Sequence, residues 1–131
     1  MNDRGQVTGT SWSYHGLHAF LYSNGQMMDL GTLGGHESIG YAINDHRQVV
    51  GLSYITTGLE HALLDNNGQM LDLNNLIDPA LGVPLHDATG INDEGQIVAN
   101  SYDRALSADA RIGPGAGYVW ALWFGADRRR S

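Results

Sequence analysis

The chain has 131 residues, of which 42% are apolar and 16% charged, the size and composition of one globular domain rather than a disordered segment. Its seven basic residues are all arginine and stand against fourteen acids, a net charge of −7, which argues against a nucleic-acid partner because a phosphate backbone needs a basic face. Cysteine is absent, excluding disulfides and thiolate chemistry, and no apolar run approaches the ~20 residues of a membrane helix, so membrane insertion is not expected.

In chain order the sequence repeats itself. Asn2-Asp3-Arg4-Gly5-Gln6-Val7 returns as Asn44-Asp45-His46-Arg47-Gln48-Val49 and as Asn92-Asp93-Glu94-Gly95-Gln96-Ile97, at spacings of 42 and 48 residues. A second module over 18–30 returns over 61–73, and the longer stretches 18–35 and 61–78 share ten of eighteen residues. These units fall at about 1–35, 36–78 and 79–131, within a single domain over 1–131.

Each unit reads as strands. Val7-Thr8, Val49-Val50 and Ile97-Val98 begin apolar segments that end on an aromatic, namely Trp12, Tyr54 and Tyr102. Asn24-Gly25 and Asn67-Gly68 separate apolar stretches and predict tight hairpins, since both central residues tolerate φ > 0. The Asn-Asp pairs Asn2-Asp3, Asn44-Asp45 and Asn92-Asp93 predict a second hairpin in each unit, with Gly5 and Gly95 at the left-handed position. Arg47 replaces that glycine in the middle unit, which predicts a looser turn or one of another type. The middle unit then has four strands near 39–43, 48–54, 61–64 and 70–73, and the third runs 88–91, 96–102 and 118–124. A single helical turn is expected at 79–81 at most. Eighteen glycines, about twice the usual share, fit so many turns.

Four antiparallel strands in 40–50 residues, repeated, is the pattern of a propeller blade. Met1 falls where Ile43 and Ile91 sit, so the first unit lacks its opening strand, and the last lacks its fourth. The expectation is an all-β fold of antiparallel four-stranded repeats, propeller-like, in an incomplete set of about 2.5 blades: part of a longer array, or one completed by oligomerisation.

The phrases His18-Ala19-Phe20, Asn24-Gly25-Gln26-Met27, Asp29-Leu30-Gly31-Thr32-Leu33-Gly34-Gly35, Ala42-Ile43-Asn44-Asp45 and Gln48-Val49-Val50-Gly51 occur in order. They resemble the HAF-repeat family of extracellular bacterial repeat proteins, named for the His-Ala-Phe tripeptide. The resemblance covers about residues 1–102. It implies a tandem β-repeat protein, usually exported and extracellular or at the cell surface, with no enzymatic activity to carry over. An export signal would then lie upstream, because the chain opens without one. Residues 103–117 and Arg128, Arg129 and Arg130 depart from the pattern, and a Gly/Ala-rich insertion replaces the short link of the middle unit.

The chemistry-bearing residues are read mostly as structural. His18 and His61 are repeat equivalents whose counterpart in the third unit is Trp120, and neither His15-His18 nor His36-Glu37 makes a zinc motif. Asp65-Asn66-Asn67-Gly68 resembles the start of a calcium loop but lacks the alternating oxygen ligands and the distal Glu, so it is read as a turn. No cofactor is expected, calcium being the single alternative weighed. Asp29 and Asp72 recur after the Gln-Met strand and are expected to bond neighbouring backbone rather than act as a catalytic pair. The aromatics are read as core, with Trp12 the expected exception because Ser11, Ser13 and Tyr14 flank it. Trp12 and Trp120 are the candidate binding aromatics; Asn24, Gly25, Asn67, Gly68, Asn44, Asp45, Asn92, Asp93, Asp29 and Asp72 are structural.

The function expected from these readings is a non-catalytic extracellular interaction module with a protein or glycan partner. Two alternatives stand beside it. One is a secreted carbohydrate-binding or carbohydrate-active domain, in which an exposed aromatic and a carboxylate share a cleft. The other is a self-assembling subunit that pairs with another copy through open, apolar strand edges.

Overall fold

The computed structural model describes residues 1–14, 16–75 and 85–100, together with the backbone of 119–120. Its strands are β1 (Val7–Ser13), β2 (Gly16–Ser23), β3 (Gln26–Gly31), β4 (Ser38–Ile43), β5 (Gln48–Tyr54), β6 (Glu60–Asn66), β7 (Gln69–Asp72), β8 (Asp87–Ile91), β9 (Ile97–Asn100) and β10 (Val119–Trp120). Among the described residues there is no α-helix, only a 3-10 turn at Leu73–Asn75. The strands form three sheets, ordered β1-β2-β3, β4-β5-β6-β7 and β8-β9-β10, and these do not close into a ring.

The turn chemistry behaves as the sequence predicts at Asn24-Gly25 and Asn67-Gly68. All four residues have positive φ, 53° and 80° in the first hairpin and 53° and 99° in the second. The Asn-Asp turns are also alike in all three units, which corrects the expectation for the middle one. Arg47 adopts φ 61°, close to the 75° of Gly5 and 82° of Gly95. It keeps the same backbone bond, its N–H donating to the carbonyl of Asn44 as those of Gly5 and Gly95 donate to Asn2 and Asn92. A non-glycine residue is held in this region because Asn44 and Gln48 fix the turn on either side, through the bonds described below.

Both fully described β4-type strands carry a bulge at the same place, between Gly40 and Ala42 in β4 and between Ala88 and Gly90 in β8. The extra residue increases the local twist and re-aims the strand. At the β4 bulge small residues are required, because the first sheet stacks against it and β5 passes close within its own sheet. A Cβ added to Gly40 would run into the Thr8 hydroxyl of the first sheet, and one added to Gly51 would run into the Ile39 carbonyl.

Each interface between sheets has its own apolar cluster. Leu21, Met28 and Leu30 of the first sheet meet Ile43 and Val49 of the second. Val50, Ala62 and Leu64 of the second sheet meet Ala88, Ile97 and Ala99 of the third, with Leu73 and Leu85 closing the end. The repeat equivalents are consistent: Leu21 answers to Leu64, and Ile43 to Ile91. The middle sheet thus buries both faces, which is why β5 reads as a nearly unbroken buried run.

The third sheet departs from the expected all-antiparallel pattern. β10 runs parallel to β9, with Val119 opposite Ile97 and Trp120 opposite Val98. A tight hairpin would force antiparallel pairing, but eighteen residues separate Asn100 from Val119, long enough for a crossover. The expectations for His15, the turn at 79–81, Tyr102, the insertion 103–117 and the terminal arginines lie outside the described residues, as does the side chain of Trp120.

Candidate functional site

The most repeated chemistry in the molecule is at the Asn-Asp turns. In each unit the asparagine Oδ1 accepts two backbone N–H groups, from the residues two and four positions on, at 2.9–3.1 Å. Its Nδ2 donates to the Oε1 of the glutamine four residues on, at 2.7 Å in all three units. Asparagine suits the position because its short amide offers an acceptor oxygen and two donor hydrogens, where a hydroxyl has a single hydrogen to give.

The same asparagines join successive units. The second Nδ2 hydrogen of Asn2 goes to the carbonyl of Asn44 at 2.7 Å, and that of Asn44 to the carbonyl of Asn92 at 2.9 Å. Beside them the N–H of Asp3 donates to Asp45 Oδ1, and the N–H of Asp45 to Asp93 Oδ1, both at 2.7 Å. The result is a ladder running one way across the three sheets. Asn44, flanked on both sides, is only 3% exposed, whereas Asn92 is exposed.

A second recurring device pairs residues that the sequence singles out separately. His18 Nδ1 lies 2.8 Å from Asp29 Oδ1, and His61 Nδ1 lies 2.7 Å from Asp72 Oδ2. A carboxylate only accepts, so the proton is on Nδ1 and the imidazole is oriented by its aspartate. Each aspartate also caps the chain two residues on, Asp29 accepting from the N–H of Gly31 and Asp72 from that of Asn74. The two aspartates lie in separate sheets. The shared spacing of eleven residues between histidine and aspartate is the signal that could have joined them.

Two buried serines extend the inter-unit bonding and carry no sequence signal of their own. Ser38 Oγ accepts from the N–H of Ala19 and donates to the carbonyl of Gly31, both in the preceding sheet. Ser53 Oγ accepts from the N–H of Leu33. In the third unit the carbonyl of Leu85 takes the role of the Ser38 hydroxyl by accepting from Ala62 N–H.

The segment weighed as a calcium loop is the β6–β7 hairpin. Asp65 is buried and accepts from the N–H of Gly68, and burial holds its carboxyl above the usual range despite that bond and the nearby Arg47. Among the described residues no three His, Asp or Glu side chains converge as a metal site would require.

Of the candidate binding aromatics, Trp12 alone has a described side chain. Trp12 is 76% exposed near the end of β1, and Tyr14, in the turn that follows, is 97% exposed. Trp12, singled out from the core aromatics by its polar sequence neighbours, is thus at the surface. Tyr54, the repeat equivalent of Trp12, is instead half-buried: it stacks on His36 with ring centroids 5.4 Å apart and donates to Glu60. Of these two described equivalents, the one on the β1–β2 hairpin is turned to solvent. Two grooves elsewhere are polar. One of about 260 Å³ runs along the Asn-Asp turns of all three units, and one of about 270 Å³ is lined by Arg4, Asp45, Arg47 and Asn67.

No family model matches this chain, and neither do any curated protein or solved structure. No helix among the described residues is long and apolar enough to cross a membrane.

Proposed function

We propose that the chain is a non-catalytic interaction module of the HAF-repeat kind, a propeller-like series of four-stranded units that works outside the cell by presenting a hairpin to a partner. The observation that carries this reading is the exposure of Trp12 and Tyr14, two residues apart on the β1–β2 hairpin. Exposed aromatics of this kind supply contact area at small entropic cost. The other chemistry-bearing repeat residues support it by being occupied: the asparagines and aspartates hold turns and join units, and the histidines are oriented by Asp29 and Asp72.

A glycan is the second reading, and the exposed indole of Trp12 favours it, since a flat ring stacks on a sugar face. Screening the full chain against glycan and peptide arrays, followed by fluorescence titration, separates the two. Trp12→Ala is expected to abolish whichever binding is found and to leave the circular dichroism spectrum unchanged. Binding that survives Trp12→Ala would move the site away from this hairpin.

A further inference from the structure

The Asn-Asp ladder has two unlike ends. At the third unit, the second Nδ2 hydrogen of Asn92 and the N–H of Asp93 have no acceptor among the described residues, although the equivalent donors of Asn2, Asp3, Asn44 and Asp45 are all used. At the first unit, among the described residues, the carbonyl of Asn2 accepts only from Gly5 and Asp3 Oδ1 accepts from none. One end offers two donors, and the other offers the two acceptors that such donors meet twice within the chain.

The apolar faces match in the same sense. Val50 of the second sheet is buried in the cluster that contains Ile97 of the third. Its repeat equivalent in the third unit, Val98, instead lines an open groove of about 370 Å³ with Gly90, Ile91 and Ile97. The equivalent of Ile97 in the first unit is Val7, which is half-buried, and Met1 at the same end of the chain is exposed.

We propose that the occupant of this groove is a second copy of the chain, docked head to tail. Its Asn2-Asp3 turn continues the ladder at Asn92-Asp93, and its Met1 and Val7 cover Val98. The contact repeats the two interfaces already inside the molecule, and it is made by sheet faces rather than by strand edges. It is heterologous, so it builds a chain of copies or a ring according to the rotation between them. The inference rests on the reading of the chain as a repeat module but not on the ligand of Trp12.

The test is the solution mass of the full chain by light scattering and sedimentation across a hundredfold concentration range. The mass is expected to rise with concentration. Asp3→Ala removes an acceptor that no described residue uses, since Asp3 joins the internal ladder through its backbone N–H. It is expected to move the association midpoint about tenfold higher, the loss of one charge-assisted hydrogen bond, with an unchanged circular dichroism spectrum. Val98→Arg is expected to leave a monomer. Where Val98→Arg does not fold, Asp3→Ala decides alone. A wild-type chain that stays monomeric throughout overturns the proposal, and so does an association that Asp3→Ala leaves unmoved, which would mean another surface. Trp12→Ala is expected to leave the mass unchanged, so the ligand reading and this one fail separately.

Discussion

The backbone N–H of Asp45 donates to Oδ1 of Asp93 over 2.7 Å, forty-eight residues away. Two acids are thereby held together by an amide proton. The donor belongs to the backbone, so the bond is broken by substitution at position 93 and not at position 45. The neighbouring bond from Asn44 to the carbonyl of Asn92 is different, because its donor is a side chain.

Asn44 is therefore the asparagine whose replacement should matter most. Asn44→Ala removes the acceptor of two backbone N–H groups and both Nδ2 bonds in a buried position, an expected loss of about 2–4 kcal/mol. Asn92→Ala, at an exposed turn, should cost about 1 kcal/mol. Urea denaturation of the two variants checks the order.

The two histidine–aspartate pairs should also differ. The Asp72 side chain is 15% exposed and that of Asp29 is 47% exposed. His61→Ala is expected to destabilise by about 1–2 kcal/mol, and His18→Ala by less than about 1 kcal/mol, because water replaces the lost partner more readily at Asp29. Thermal unfolding followed by circular dichroism reads both.

Gly51 and Gly25 test two different reasons for glycine. Gly51→Ala drives a Cβ into the Ile39 carbonyl across the β4–β5 ladder, and a loss of more than about 3 kcal/mol or failure to fold is expected. Gly25→Ala has open space around it but φ 80°, so only the left-handed strain of about 1 kcal/mol applies. Expression yield and urea midpoints distinguish them.

Asp65 predicts a pH effect whose sign follows from its burial. Its carboxyl is held above the ordinary 3.8 in the folded chain, chiefly by desolvation. The folded state therefore holds that proton more tightly than the unfolded chain does. The contribution is fully present below about pH 3.8 and is lost as pH rises through the raised value. Asp65→Asn keeps an oxygen for the Gly68 N–H and carries no charge. Its stability relative to wild type should be higher at pH 7 than at pH 4, measured by urea unfolding at both.

Much of the fold was legible because local rules and tertiary context agree. Asn24-Gly25 and Asn67-Gly68 have few conformations open to them, and the repeats place strands on both sides. Arg47 misleads because residue type alone predicts another turn, while Asn44 and Gln48 impose the same one through bonds the sequence shows only as a shared motif. The direction of β10 was hidden for a different reason: a long connection does not specify strand direction. Of the candidate site, the exposure of Trp12 could be read from its polar neighbours. The His18–Asp29 and His61–Asp72 pairs left only their shared spacing of eleven residues as a signal, since β2 meets β3 and β6 meets β7 only once the hairpin register is set. Ser38 and Ser53 were illegible, as a serine that bridges sheets looks like one in any strand.

The middle sheet shares an interface with each neighbour, while the outer two each share only one with it. Stability in such a row is set by nearest neighbours, so opening proceeds by fraying from the flanks inward. Amide hydrogens of β5 and β6 should then exchange last of all, through the global transition, and those of β1 and β9 earlier, through partial openings that leave the centre intact. The two open ends of the row would be its least protected surfaces, and anything that seats on them would slow exchange there first.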